Sequence, residues 1–235
     1  MRRAGRWRRG DLGQWMATQQ DGRQPPGVIA AFLDTAEVTS RLLRSPVLAE
    51  RWEQPSALAQ FRVSGLAGHL ARAVFNVERW LAEPPQAGGT PIDAVVYFLS
   101  GTGPAPHLEN AVPRRIREVG EQEAAGGPAV LVEAFDAARA RLAAQLPTMP
   151  LDRHVGVFAH VLPLDQCLLT RLVELVVHLD DLAVSLAAPT PSVPVEATDA
   201  VIACLTRIAV ARHGVLPVMR TLARRERSTD PIAAF

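Results

Sequence analysis

Glu174 and His178 have the residue types and the spacing to share one metal ion. Residues four positions apart lie on one face of an α-helix, where a carboxylate and an imidazole can meet. Both belong to the apolar stretch CLLTRLVELVVHLDDLAVSL, residues 167–186, between Pro163 and Pro189. On a helical wheel its polar groups fall within an arc of roughly 80°. We call this set the polar strip; its members are Arg171, Glu174, His178, Asp181 and Ser185.

The spacing of the polar strip leaves two interpretations open. With 24 acidic residues and 6 histidines in 235 positions, chance alone gives roughly 0.8 pairs of this spacing. The strip is therefore either the solvent-facing side of a helix, with a Glu–His pair and an Arg–Glu pair, or a site. A helix that is apolar over most of its circumference belongs in a core, where polar groups are paired, solvated in a pocket or bound to a ligand.

A catalytic zinc site usually has three protein ligands, so a third one must come from elsewhere in the chain. Four of the remaining histidines lie in a Pro-rich loop, an irregular segment or a helix end: His107, His154, His160 and His213. His69 differs, because it lies one turn into SGLAGHLARAVFNVERW, at the boundary between an apolar and a polar face. From the residues alone it is either a core-edge histidine or the third ligand.

Composition restricts the classes of function. The net charge of +1 predicts neither a nucleic-acid nor a membrane partner. All 25 basic residues are arginine, which excludes a Schiff-base lysine and a phosphate loop that carries lysine. The two cysteines, Cys167 and Cys204, fit no metal spacing and predict buried thiols in a cytoplasmic protein. Cys167 lies along the same helix face as Glu174, which leaves it a minor role in the site.

The first ten residues contain five arginines and no apolar region follows them, so they do not resemble a secretory signal. We expect residues 1–26 to form a flexible tail; a basic nucleic-acid arm and a true start at Met16 are the alternatives. No run of 18 apolar residues occurs, so no membrane-spanning helix is predicted.

The apolar periodicity predicts an all-α fold, and a four-helix bundle is the simplest architecture. Ser64 is the expected N-cap of the second helix, and residues 147–163 are expected to include a short strand or an extended turn. Helices are predicted at 28–43, from after Ser64 to about 83, at 92–99, at 106–146 with a break at 126–128, at 167–186, at 196–213 and at 216–225. The expected domains are a tail (1–26), a bundle (27–190) and a helical extension packed on it (191–235).

The segments VSGLAGHLARAVFNVERW and TRLVELVVHLDDLA together resemble the mycothiol-dependent maleylpyruvate isomerase N-terminal domain group of the DinB-like superfamily. The resemblance covers roughly residues 28–187. It implies a four-helix bundle with one divalent metal ion, usually zinc. The ligands that it implies are His69, Glu174 and His178.

The resemblance also implies chemistry, in which the metal ion activates the thiol of mycothiol for attack on a small electrophile, as an S-transferase or isomerase does. The candidates for contacts to the thiol or the substrate, or for orienting a ligand, are then Arg72, Arg171 and Asp181. Family isomerases can carry a separate C-terminal domain with a substrate-handling arginine; here Arg212 or Arg220 would have to serve. A metal-dependent hydrolase and a non-enzymatic binding or regulatory bundle are the alternatives. The expected partners are a small substrate and a low-molecular-weight thiol, and the expected state is a monomer or homodimer.

Overall fold

The computed structural model describes residues 27–101, 111–224, 226 and 231–234, and within them the regular structure is helical except for one antiparallel hairpin and an isolated bridge between Pro55 and Arg62. The predicted tail and His107 lie outside the described residues. The helices are α1 (Val28–Leu43), α2 (Pro46–Glu50), α3 (Val63–Ala82), α4 (Ala94–Gly101), α5 (Ala111–Ala124), α6 (Pro128–Gln145), α7 (Leu164–Ser185), α8 (Val195–His213) and α9 (Val215–Ala223). The hairpin consists of β1 (His154–Val157) and β2 (His160–Pro163). The predicted all-α class is confirmed.

Four of these helices form the predicted bundle. Both α1 and α3 pack against α6 and against α7, which closes a ring of four helices. Phe32, Leu70, Phe135, Leu142 and Leu168, all of them fully buried, lie in the core between the four helices. Burial of large apolar side chains from every helix stabilises this arrangement.

The helix that carries the polar strip, α7, lies between two apolar cores. Leu168 and Leu175 face the bundle core, whereas Leu172 and Val173 pack into a second core with α4 and α8. Because these two cores cover most of the circumference of α7, its sequence is apolar nearly all round. The remaining side, the polar strip, faces α3.

The beginning of α3 differs from the prediction. Ser64 is not the N-cap: the helix begins at Val63, and its cap residue, Arg62, makes no side-chain capping hydrogen bond. Instead, the N–H groups of Val63 and Ser64 donate to the carbonyl oxygens of Gln54 and Trp52, each at 2.9 Å. The preceding loop therefore satisfies the first N–H groups of the helix, which a capping side chain would otherwise do.

The segments around the hairpin refine two further expectations. The predicted strand is present as β1 and β2, and the predicted helix at 92–99 begins only at Ala94. The N–H of Ile92 donates to the carbonyl of Val161 on β2 at 2.9 Å. This hydrogen bond ties residue 92 to the hairpin, so the helix starts after it. The predicted break before α6 is confirmed, since Gly127 has a φ of 86° and Pro128 opens the helix.

Two helices beyond the bundle, α8 and α9, form the C-terminal part of the described chain. Helix α8 packs against α7, α1 and α4, and α9 packs against α8. Both cysteines are buried, as predicted, and burial raises the pKa of Cys167 to about 12 and that of Cys204 to about 11. Among the described helices, none is long and apolar enough to cross a membrane.

Helix α5 crosses α3 so closely that the two backbones touch. A Cβ atom placed on Gly68 would lie 2.1 Å from the carbonyl oxygen of Gly120, and one on Gly120 would lie 2.6 Å from that of Gly65. Only glycine fits at these positions. The same crossing brings Gly120 to His69, where an added Cβ would lie 3.4 Å from the Cβ atom of that histidine.

Substitution of Gly68 by alanine should destabilise the protein by about 1–3 kcal/mol, the usual cost of overpacking a tight contact. The direction of the change in stability is diagnostic, because replacement of glycine by alanine at an uncrowded helix position stabilises the helix. Gly88→Ala is the matched control, since an added Cβ there meets nothing within 4 Å. The free energy of unfolding from denaturant titration measures both, and equal stability of Gly68→Ala and the wild type would refute the close crossing.

Candidate metal centre

Three donor atoms from two helices converge between α3 and α7. His69 Nε2 lies 3.1 Å from His178 Nε2, and each of these nitrogens lies 3.4 Å from Glu174 Oε2. The side chains of His69, His178 and Glu174 are 16%, 17% and 22% exposed, so the cluster is partly buried and still reaches solvent. The structure thus brings together the three residues that the resemblance implied as ligands.

The separations within the cluster match those of a tetrahedral ion. Zinc bonds of about 2.0–2.1 Å to nitrogen and oxygen place neighbouring ligands of a tetrahedron about 3.3–3.4 Å apart. The observed 3.1, 3.4 and 3.4 Å are close to this value. Two imidazoles and a carboxylate form the ligand set of several catalytic zinc sites, and three ligands leave a fourth position for a substrate. The donor set therefore fits a divalent metal ion.

Asp181 holds the imidazole of His178 in place. Its Oδ2 lies 2.9 Å from Nδ1 of His178, one helical turn away on α7. A proton on Nδ1 that is donated to this carboxylate leaves Nε2 directed at the cluster, as in the carboxylate–histidine pairs of metal sites. Ser185 is not part of the cluster; its hydroxyl donates to the carbonyl of Asp181 at 2.6 Å and accepts from the N–H of Ala57 at 2.9 Å.

The charges of the cluster are balanced without a metal ion. Burial opposes ionisation of Glu174, but the two imidazoles and Arg171 outweigh it and hold the pKa of this carboxyl well below its usual value. Burial also opposes protonation of His178, yet Asp181 and Glu174 raise its pKa to about 9. Burial lowers the pKa of His69 despite the neighbouring Glu174. The metal-free cluster therefore contains one carboxylate, one imidazolium and one neutral imidazole, and a metal ion must displace the proton.

Arg171, the first residue of the polar strip, does not form the ion pair with Glu174 that the solvent-facing interpretation includes. Its Nε donates to the hydroxyl of Thr170 at 3.1 Å, and Nη2 donates to the hydroxyl of Tyr97 at 3.4 Å. The guanidinium lies 5.4 Å from the ring centroid of Trp80 and 5.8 Å from that of Tyr97. Arg171 is only 6% exposed, so this residue of the strip does not face solvent.

Tyr97 and Trp80 were not predicted as neighbours of Arg171. Trp80 lies four residues after Asn76 and eight after Arg72, so helical spacing places these three on one side of α3. Tyr97 is the only tyrosine in the chain, but it lies on α4, and no spacing relation joins it to α7. Phe61 was likewise unexpected; its ring centroid lies 5.9 Å from that of His69.

The other histidines and the arginine of α9 that the sequence analysis considered do not belong to the metal cluster. His154 and His160 belong to the hairpin, and Nε2 of His160 lies 3.1 Å from the hydroxyl of Ser100. His213 Nε2 lies 2.9 Å from the carbonyl of Ala233. Arg220 is exposed on α9.

Comparison with known families agrees with this geometry. The family model described as mycothiol maleylpyruvate isomerase N-terminal domain matches residues 32–183. The chain belongs to this family. The match contains α3 and all but the last two residues of α7, and with them all three members of the cluster. The family associates the chain with mycothiol, and the His69–Glu174–His178 cluster could bind a metal ion. Searches of curated proteins and of solved structures give no significant match.

Replacement of Asp181 by asparagine should lower the midpoint of the His178 titration in the metal-free protein by about 1–2 pH units, because a neighbouring carboxylate is lost. NMR of the histidine ring protons measures this titration. Asp180→Asn is the matched control: Asp180 is exposed and accepts a hydrogen bond from Thr190. An unchanged titration of His178 in Asp181→Asn, or an equal change in Asp180→Asn, would show that Asp181 does not hold the imidazole.

Proposed function

We propose that this protein is a zinc-dependent enzyme that uses mycothiol as cosubstrate, as an S-transferase or isomerase of a small electrophile. The observation that supports the proposal most is the set of three donor atoms separated by 3.1, 3.4 and 3.4 Å. Membership in a family associated with mycothiol supports the choice of thiol.

The proposed ligands are His69, Glu174 and His178. When bound, zinc would supply a Lewis acid that lets a coordinating thiol lose its proton at neutral pH, and a thiolate is the reactive nucleophile. Two neutral imidazoles and one carboxylate leave a doubly charged ion with a net charge of +1, which attracts a thiolate. Cys167 does not compete for the role, because it is 1% exposed and burial raises its pKa to about 12.

Side chains next to the cluster orient the ligands and limit the access of water. Asp181 keeps Nε2 of His178 directed at the ion, while Phe61 borders His69. Each ligand side chain is at most 22% exposed, so the donor atoms are largely shielded from water. Removal of water strengthens the electrostatic interactions of the site.

The metal part of the proposal predicts about one zinc ion per chain after purification with zinc present. His69→Ala should reduce the zinc content at least tenfold, because two ligands do not form a tight site. His154→Ala is the control, since it removes a histidine of the hairpin. Elemental analysis together with circular dichroism measures metal and folding. A folded His69→Ala variant with the zinc content of the wild type would contradict the ligand assignment.

The thiol part predicts that the zinc-loaded protein consumes mycothiol together with a small electrophile, and that kcat/KM falls at least 100-fold in Glu174→Gln or after chelation. Loss of free thiol with a panel of electrophiles measures the reaction, and Asp180→Asn is the control for a nearby lost charge. Substrate consumption that needs metal but no thiol would replace the proposal with a hydrolase. Binding of mycothiol without turnover of any electrophile would replace it with a non-enzymatic binding protein.

A further inference from the structure

Helix α9 turns most of its apolar side toward solvent. Val218 is its one buried residue in the described part of the chain, and α8 is the helix that it packs against. Four further apolar residues of α9 are between 52% and 69% exposed: Val215, Leu216, Met219 and Leu222. We call these four residues the α9 face. An amphipathic helix normally buries its apolar side, so the α9 face lacks a partner.

The residues of the α9 face lie together on the helix surface. At 100° per residue, they and Val218 occupy an arc of roughly 160°, with Val218 at one edge. The contact of Val218 with the protein interior therefore covers one edge of the arc and leaves the rest open. Arg220 and the cap residue Arg224 lie outside the arc. A partner can therefore cover the α9 face without burying a charge.

The area of the α9 face is close to what a stable dimer needs. From their exposed fractions, the four residues present roughly 400 Å² of surface, as large as the main apolar patch on a typical monomer. A standard interface buries about 800 Å² on each partner, of which about 60% is apolar. The α9 face thus supplies most of the apolar area that one side of such an interface contains.

The spacing of residues along the α9 face is self-complementary. Val215, Met219 and Leu222 follow one another at intervals of four and three residues, which is the spacing of a coiled-coil seam. An antiparallel copy of the helix, related by a two-fold axis at Met219, places Val215 opposite Leu222. The two Met219 side chains then meet at the axis. A symmetric dimer requires a surface that matches its own copy in this way.

We propose that the α9 face is the interface of a homodimer, in which α9 of one protomer packs antiparallel against α9 of a second copy. An anionic membrane is the other surface that a short amphipathic helix can bind. The net charge of +1 gives the chain no general attraction to such a membrane, whereas a dimer needs none. The proposal depends neither on the metal ion nor on the thiol, so it stands or falls apart from the proposed function.

Sedimentation velocity of the full chain tests the dimer. We expect the wild type to change from monomer to dimer between about 1 and about 100 μM, since interfaces of standard size begin at micromolar affinity. Met219→Glu and Leu222→Glu should each raise the dissociation constant at least tenfold, because the symmetric interface would bury two carboxylates. Val130→Glu is the matched control on α6, where Val130 is 57% exposed, and should stay within twofold. Circular dichroism checks that every variant folds.

Disulfide formation tests the position of the two-fold axis without adding charge. Met219→Cys should give an intermolecular disulfide on mild oxidation, because the two copies of this residue meet at the axis. The native thiols of Cys167 and Cys204 do not compete, since they are 1% and 2% exposed. Arg220→Cys is the control, because Arg220 is exposed but lies outside the arc of the α9 face. It should form at least tenfold less disulfide-linked dimer.

Four results would overturn the proposal. They are a wild type that stays monomeric throughout the concentration range, a dimer that persists unchanged in both glutamate variants, an equal loss in Val130→Glu, and equal cross-linking of Arg220→Cys and Met219→Cys. A monomeric wild type that floats with phosphatidylglycerol vesicles, and no longer does so as Leu222→Glu, would assign the α9 face to a membrane instead.

Discussion

A contact of 3.1 Å between two imidazole nitrogens, Nε2 of His69 and Nε2 of His178, joins the two halves of the candidate centre. Two imidazolium groups cannot lie so close in a buried position, so one ring must be neutral. Glu174 and Asp181 localise the proton on His178, and burial keeps His69 neutral. The charge balance of the region depends on this arrangement, since the two imidazoles, together with Arg171, hold the pKa of Glu174 low.

The two apolar cores on either side of α7 hold this contact in place. Because leucine and valine side chains pack against α7 from the bundle and from α4 and α8, the helix cannot rotate without exposing them. The polar strip therefore has one direction available, toward α3. Rigid elements of this kind fix donor atoms before a ligand arrives, which lowers the cost of binding.

Apolar periodicity predicted the four-helix bundle, and Gly127 and Pro128 predicted the break before α6, because that information is local. The residues alone left the role of His69 open, and only the family resemblance implied the set of two histidines and one glutamate. The N-terminus of α3 was predicted wrongly at Ser64, since the loop carbonyls of Trp52 and Gln54 that satisfy its first N–H groups depend on tertiary structure. The position of Tyr97 beside Arg171 could not be predicted for the same reason. The solvent-facing interpretation of the strip included an Arg171–Glu174 ion pair, but aromatic rings from two other helices surround Arg171 instead.

The two histidines of the cluster are held by different means, and this difference has a structural consequence. His178 has Asp181 on its own helix, so its orientation follows from the fold of α7 alone. The Nδ1 atom of His69 is buried without a hydrogen-bond partner among the described residues, and packing against Phe61 and the backbone at Gly120 positions its ring. One half of the centre is therefore defined within a single helix. The other half depends on the crossing of α3 and α5, so a sequence can retain Glu174, His178 and Asp181 and still lose the centre if that crossing opens.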